Sequence, residues 1–161
     1  MDTIVEPKIV HATCVVERSF SKPASVVFAA LSQPDKVRQW MGAGRQLELV
    51  EFRHEFVEGG LQTLKYKMSP ESPVAGAVIT NEVRFQQIVL DERIVTASTM
   101  KMDDRIFSAS QVTYELVPKS DGTDLIITHQ GAFFEGSDGP ARREQGWIVL
   151  ADNLARVVAE G

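Results

Sequence analysis

GPARREQGWIVLADNLARVVA, residues 139–159, is the stretch on which the fold turns. Gly139-Pro140 opens a helix, because proline's fixed φ and missing N–H suit a first helical turn. Ser137 or Asp138 is placed to cap it. Trp147, Leu150, Ala151, Leu154, Val157 and Val158 then recur at three- and four-residue spacing, which is one apolar stripe. The same reading puts Arg142, Arg143, Asp152, Arg156 and Glu160 mostly on other faces. Twenty residues at about 1.5 Å each span about 30 Å, the width of a small domain. Such a stripe requires a broad apolar partner surface.

The preceding ninety residues supply it. Strands are expected at about 45–56, 60–68, 76–89, 93–102, 105–118 and 123–131. Turn signals separate them: Glu58-Gly59-Gly60, Ser69-Pro70-Glu71-Ser72-Pro73, Asp91-Glu92, Asp103-Asp104 and Ser120-Asp121-Gly122. Connections this short make antiparallel neighbours, since parallel pairs need long crossovers. Val112, Tyr114 and Leu116 alternate with Gln111, Thr113 and Glu115. Leu125, Ile127 and His129 share one face, opposite Ile126 and Thr128.

Further upstream, Ala12, Cys14, Val16 and Phe20 alternate with polar residues, so a first strand is expected over 11–20, with Val15 off pattern. Residues 1–10 read as a loose lead-in. After Ser21-Lys22-Pro23, the residues Ala24, Val27, Phe28 and Leu31 form a helix stripe, which Ser32-Gln33-Pro34 stops. A second short helix runs over about 34–40 and ends on Trp40-Met41-Gly42. The order is strand, two short helices, six strands, long helix. One helix cannot cover a flat seven-stranded sheet, so the sheet must curve around it. Curvature leaves space where helix and sheet diverge, and the short helices can roof one end. The expectation is a single α+β domain over 11–159 with an apolar cavity under the last helix.

Composition sets the exclusions. A chain of 161 residues, 43% hydrophobic and 24% charged, can bury a full core without staples. Its net charge of −5, spread along the chain, argues against nucleic acid as a partner, because that requires a basic face. The two consecutive short helices therefore do not read as a DNA-binding pair. Cys14 is the only cysteine, so no internal disulfide forms. Neither a secretion signal nor an apolar run of about 20 residues occurs, so the expected location is cytoplasmic, away from membranes. His11, His54 and His129 are scattered and match no metal-binding spacing. No metal and no cofactor are expected.

Several local motifs, in this order, resemble the START-like (SRPBCC, helix-grip) superfamily. They are Ser21-Lys22-Pro23-Ala24-Ser25-Val26-Val27-Phe28-Ala29-Ala30-Leu31, Gln33-Pro34-Asp35-Lys36-Val37-Arg38-Gln39-Trp40, Phe56-Val57-Glu58-Gly59-Gly60, Asp91-Glu92-Arg93-Ile94-Val95, Gly122-Thr123-Asp124-Leu125-Ile126-Ile127-Thr128-His129 and Gln145-Gly146-Trp147. They look most like the branch named for the activator of Hsp90 ATPase homologue, which also holds polyketide-cyclase-like proteins. The resemblance covers about 11–159. It implies a helix-grip fold with a hydrophobic-ligand cavity, but no one activity, because carriers, sensors, cyclases and co-chaperone domains share that fold. An Hsp90-type chaperone as partner is implied only by the branch's name, since that role resides in a larger eukaryotic co-chaperone.

Seven residues are candidates for the cavity. His129 faces inward with Leu125 and Ile127, where an imidazole can hydrogen-bond a ligand or act as a base; the alternative is a satisfied core histidine. Arg18 shares parity with Val16 and Phe20, so its guanidinium must find a carboxylate, a ligand anion or the strand end. Tyr114 brings a hydroxyl that needs a partner. Trp147 and Leu150 lie on the long-helix stripe. Trp40 ends the second helix, as wall or as packing plug, and Phe28 belongs to the first-helix stripe, as core or wall. Asn153 borders the buried stripe, where it can hydrogen-bond a ligand, but a solvated helix flank is the leading reading. Cys14 and His129 would form a nucleophilic pair if the first and last strands are neighbours.

Three functions compete. The leading one is a binding module for a small hydrophobic or amphipathic molecule, without dedicated catalysis. The second is a cyclase- or hydrolase-like enzyme, which needs His129, Arg18 and Tyr114 to converge in one cavity. The third is a chaperone-accessory interaction domain, which needs a contiguous exposed apolar patch. The edge strand at 45–56 offers a surface for a homodimer.

Overall fold

The computed structural model describes residues 6–42 and 47–161. Residues 1–5 of the lead-in and the first two positions of the strand expected at 45–56 lie outside the described residues. The elements are β1 (Val10–Phe20), α1 (Ala24–Ser32), α2 (Pro34–Met41), β2 (Leu47–His54), β3 (Leu61–Met68), β4 (Val78–Val89), β5 (Arg93–Met102), β6 (Arg105–Lys119), β7 (Gly122–Phe133) and α3 (Pro140–Glu160).

All seven strands form one antiparallel sheet in the order β1-β7-β6-β5-β4-β3-β2. The hairpins leave β2 to β7 in sequence order, and β1 closes against β7, so β1 and β2 are the edges. Tight turns make this possible. Asp91 and Asp103 adopt positive φ (60° and 53°), which aspartate tolerates because its side chain bonds the local backbone. Asp103 is also tied across the sheet, its Oδ1 accepting from the Val78 amide at the start of β4 at 3.1 Å. Gly122, with φ 155°, starts β7 where a Cβ would lie 1.9 Å from the carbonyl oxygen of Phe20.

An extra residue interrupts β2 at Val50, β4 at Gln86 and β6 at Phe107, the last opposite Met100 and Lys101 of β5. Each bulge bends its strand and increases local twist. All three fall outside the β6–β7 ladder, which starts at Ser108, and the β7–β1 ladder, and these two are continuous. The sheet therefore has a regular part that packs tightly and a bent part.

The core centres on the regular part and also takes in Phe85 of β4 and Ile94 of β5. Val16, Tyr114, Leu116, Leu125 and Ile127 of the regular part meet Val27, Phe28 and Leu31 of α1, Trp40 of α2, and Ala151, Leu154, Val157 and Val158 of α3. Leu125, Ala151 and Leu154 have no exposed surface. Burying each of the two leucine side chains contributes about 1.5–3 kcal/mol. Thus the C-terminal half of α3 is seated in a solid core.

Three expectations for α3 are corrected. Neither Ser137 nor Asp138 caps the helix: the cap position is Gly139, φ 82°, with no side-chain cap bond. Asp138 is otherwise engaged, as described below. Arg143 is not on an outer face but buried. It lies four residues before Trp147 and so continues the stripe one turn earlier. Asn153 is buried too, four residues before Val157, and its Nδ2 donates to the Trp40 carbonyl oxygen at 3.3 Å.

Candidate functional site

Where the bent part of the sheet leaves α3, a cavity of about 1040 Å³ opens. Its walls alternate out of β3, β5 and α3 by the ordinary two-residue and 3.6-residue periods. Leu64, Tyr66 and Met68 point in from β3, Ser98 and Met100 from β5, and Gly146, Trp147, Leu150 and Asn153 from α3. Met41 at the end of α2 adds to the wall, as the short helices were expected to do. A satellite void of about 40 Å³ lies deeper, between Trp40, Ile94, Tyr114 and Trp147. Met41, Asn81, Ser98, Val112 and Trp147 border both spaces.

One end of the cavity is polar. Arg143 reaches in from the second turn of α3. Its Nε donates to Asp138 Oδ2 at 2.8 Å and its Nη2 to Asp138 Oδ1 at 2.8 Å, a two-pronged ion pair. Nη2 also donates to the fully buried Ser108 hydroxyl at 2.9 Å. The guanidinium carbon sits 5.1 Å from the ring centre of Phe133 and 5.9 Å from that of Phe107, both within cation–π reach.

His129 completes this cluster, with Nε2 3.4 Å from Arg143 Nη1. A guanidinium only donates, so Nε2 must be the acceptor and the ring is neutral with its proton on Nδ1. Burial, then the neighbouring positive charge of Arg143, lower the imidazole to about 4 against the partial opposition of Asp138. Tyr66 belongs to the same end: burial pushes its hydroxyl up to about 12, with Arg143 pulling the other way. It keeps its proton at neutral pH. For Asp138, burial acts to raise the carboxyl, but the hydrogen bonds and charge of Arg143, with Ser137, outweigh it and leave it below the usual range.

The seven candidates divide. His129, Trp147 and Leu150 stand on the main cavity wall. Trp40 and Tyr114 border only the satellite void; the Trp40 indole Nε1 donates to the Ala30 carbonyl oxygen at 2.9 Å, which pins it as a plug. Phe28 does not reach the cavity wall. It packs edge-on against Phe56, with ring centres 5.8 Å apart, because α1 sits over the solid end. Arg18 does not reach it either: Nη2 donates to Asp152 on α3 at 3.1 Å, the carboxylate that an inward-parity guanidinium requires. His129, Arg18 and Tyr114 therefore do not converge.

Cys14 and His129 do face each other across β1–β7. The thiol, however, is raised by burial and by Glu144 against the pull of Arg143, the opposite of what a nucleophile needs. His54 is held by Gln62 and the Ser32 carbonyl oxygen, each at 2.7 Å, within an aromatic stack. No group of three metal-ligating side chains occurs among the described residues.

Arg143, Asp138 and Tyr66 are not among the cavity candidates the sequence offers. Extending the stripe from Trp147 by one turn would have found Arg143. Nothing in the sequence marks Asp138 as its partner, because the pairing depends on how the 134–139 loop folds back.

The family model for the Activator of Hsp90 ATPase homolog 1-like protein matches residues 21–159. A crystal structure of a protein from Rhizobium loti is 35% identical and superposes with a TM-score of 0.81, covering 92% of this chain and 98% of that one. An uncharacterized protein from Rhizobium leguminosarum is 27% identical, with a TM-score of 0.85 over 95% and 97% of the two chains. An AHSA1-like protein from Aeromonas hydrophila, solved in solution, shares the fold at 23% identity, a TM-score of 0.66 and coverage of 92% and 93%. No curated protein matches the sequence significantly.

Proposed function

The chain belongs to the Activator of Hsp90 ATPase homolog 1-like family, and from that premise we propose that it binds one small hydrophobic or amphipathic molecule in the cavity between sheet and α3, without dedicated catalysis. The observation that carries this reading is the hollow of about 1040 Å³ between largely apolar walls. Native interiors pack to the density of organic crystals, so a space of this size beside a tightly filled core is a ligand's space rather than a packing defect. Burying apolar ligand surface there contributes about 25 cal/mol per Å².

The enzyme reading loses support because its three proposed residues sit in three places. The chaperone reading has less to support it: the exposed aliphatics Val15, Val50, Leu90 and Ile106 lie on β1, β2, the β4–β5 turn and β6. No described helix is long and apolar enough to cross a membrane.

A thermal-shift screen of lipids, fatty alcohols and polycyclic aromatics tests the proposal. A ligand at a hundred times its Kd adds about 2.7 kcal/mol, or roughly 5–10 °C in Tm for a chain of this length. Substituting Leu150→Trp narrows the cavity and should abolish that shift while leaving the ligand-free Tm nearly unchanged. A screen without any shift, or shifts untouched by Leu150→Trp, refutes the reading.

A further inference from the structure

The charged groups of the cavity wall are Asp138, Arg142, Arg143, Asp152 and Arg156. Both carboxylates are already taken. Asp138 receives two prongs from Arg143 and also accepts from the Ser137 hydroxyl. Asp152 pairs with Arg18, which lies off the wall. Arg142 and Arg156 are left over: both are exposed, and neither pairs with a carboxylate among the described residues. Because His129, held at about 4, is neutral, the wall keeps these two unmatched positive charges in a chain whose net charge is −5.

The two arginines are not equivalent. Residues 142 and 156 share one face of α3 about 21 Å apart, so a single carboxylate is served by one of them. Arg156 already donates to Asn153 Oδ1, and it stands near the negative end of the helix, one turn before Glu160. Arg142 stands in the first turn, at the positive end, beside the polar end of the cavity. Tyr66 belongs to that end as well, since its hydroxyl feels the charges of Arg143 and Asp138. That hydroxyl makes no hydrogen bond among the described residues. It is not sealed off either: Asn81 Oδ1 is the one side-chain nitrogen or oxygen among them that is both unpartnered and wholly shielded. A phenol with a proton to donate and an unpaired guanidinium are together a donor set for an anion.

We infer that the cavity takes a single-chain amphiphile with a carboxylate head, the head held at the polar end by the Arg142 guanidinium and the Tyr66 hydroxyl, and the tail lying between Leu64, Met100, Trp147 and Leu150. This rests on the cavity-binding reading and adds the charge and the orientation of the ligand. The planar guanidinium fork matches a carboxylate in shape as well as in charge. Because Arg142 is exposed, the head keeps part of its hydration while the tail leaves water.

The test displaces a neutral fluorescent probe, N-phenyl-1-naphthylamine, from the full chain with dodecanoate and with dodecanol at about pH 8, where the carboxylate is ionised. A hollow without a cation favours the alcohol, because a carboxylate gives up more hydration on entry. Here dodecanoate should compete about fivefold better than dodecanol, the scale of a partly exposed ion pair, and raising the ionic strength should shrink the difference. Arg142→Gln should abolish the preference and leave dodecanol unchanged, whereas Arg156→Gln should leave the preference in place. Tyr66→Phe should weaken dodecanoate about threefold. Equal or tighter binding of dodecanol to the wild-type chain overturns the inference. So does a preference that survives Arg142→Gln or is lost with Arg156→Gln, and so does dodecanoate binding untouched by Tyr66→Phe. Failure of the probe and of both competitors to bind removes the cavity reading itself, so the two failures are distinct.

Discussion

Substituting Asp138→Asn tests the polar end most directly. It keeps size and one carbonyl acceptor but removes the charge that balances Arg143. The Arg143 side chain is only 10% exposed, whereas that of Asp138 is 32% exposed. Stranding one member of a buried pair costs about 3–5 kcal/mol. Water reaching the Asp138 side moderates this, and about 2–3 kcal/mol is expected. For a chain of this length that lowers Tm by about 4–12 °C. Urea unfolding should show a lower midpoint with an unchanged slope, since the surface exposed on unfolding is the same. The double variant Arg143→Met with Asp138→Asn should recover much of the loss, because the stranded cation is gone and a flexible apolar chain can pack between Phe107 and Phe133. A loss under about 0.5 kcal/mol for Asp138→Asn, the level of a surface ion pair, would refute the account. So would a double variant as unstable as the sum of its singles.

Protonating His129 opposes folding, because its folded value near 4 lies below the ordinary 6.5. Its contribution is complete above pH 6.5 and is lost as pH falls from 6.5 towards 4, on the order of 3 kcal/mol in all; urea midpoints measured across that window should flatten in His129→Gln, and an unchanged slope refutes it. A Cβ at Gly131 would lie 2.7 Å from His129 Cε1 and 2.9 Å from Phe133 Cε2. Gly131→Ala should therefore cost about 1–3 kcal/mol by overpacking and perturb the His129 ring signals in NMR spectra, whereas unchanged signals would count against the packing described. Gly122→Ala meets backbone rather than a movable side chain, at 1.9 Å from the Phe20 carbonyl oxygen; a loss of more than about 2 kcal/mol is expected by denaturation, and a neutral result would show that the β1–β7 junction is looser than drawn.

Periodicity alone determined the elements: the alternation in β6 and β7, the α1 stripe and the α3 stripe each record which face is buried, and burial is what the local pattern encodes. The short connections fixed the antiparallel order: two or three residues join β4 to β5, β5 to β6 and β6 to β7, and the longer ones before β3 and β4 are still too short for a parallel crossover. The inward faces of His129, Trp147 and Leu150 followed from the same rule. Which inward residues reach a hollow and which meet a solid core was a different matter. Phe28 and Leu150 carry equivalent apolar-stripe signals, yet one packs on Phe56 and the other lines the cavity, because bulges in β2, β4 and the start of β6 bend only part of the sheet away from α3. Arg18 and Arg143 are both arginines directed inward, but their carboxylates, Asp152 and Asp138, are supplied by tertiary contacts and loop geometry that no spacing in the chain encodes. The tertiary structure therefore decided where charge is cancelled, for electrostatics depends on distances across the fold rather than along the sequence.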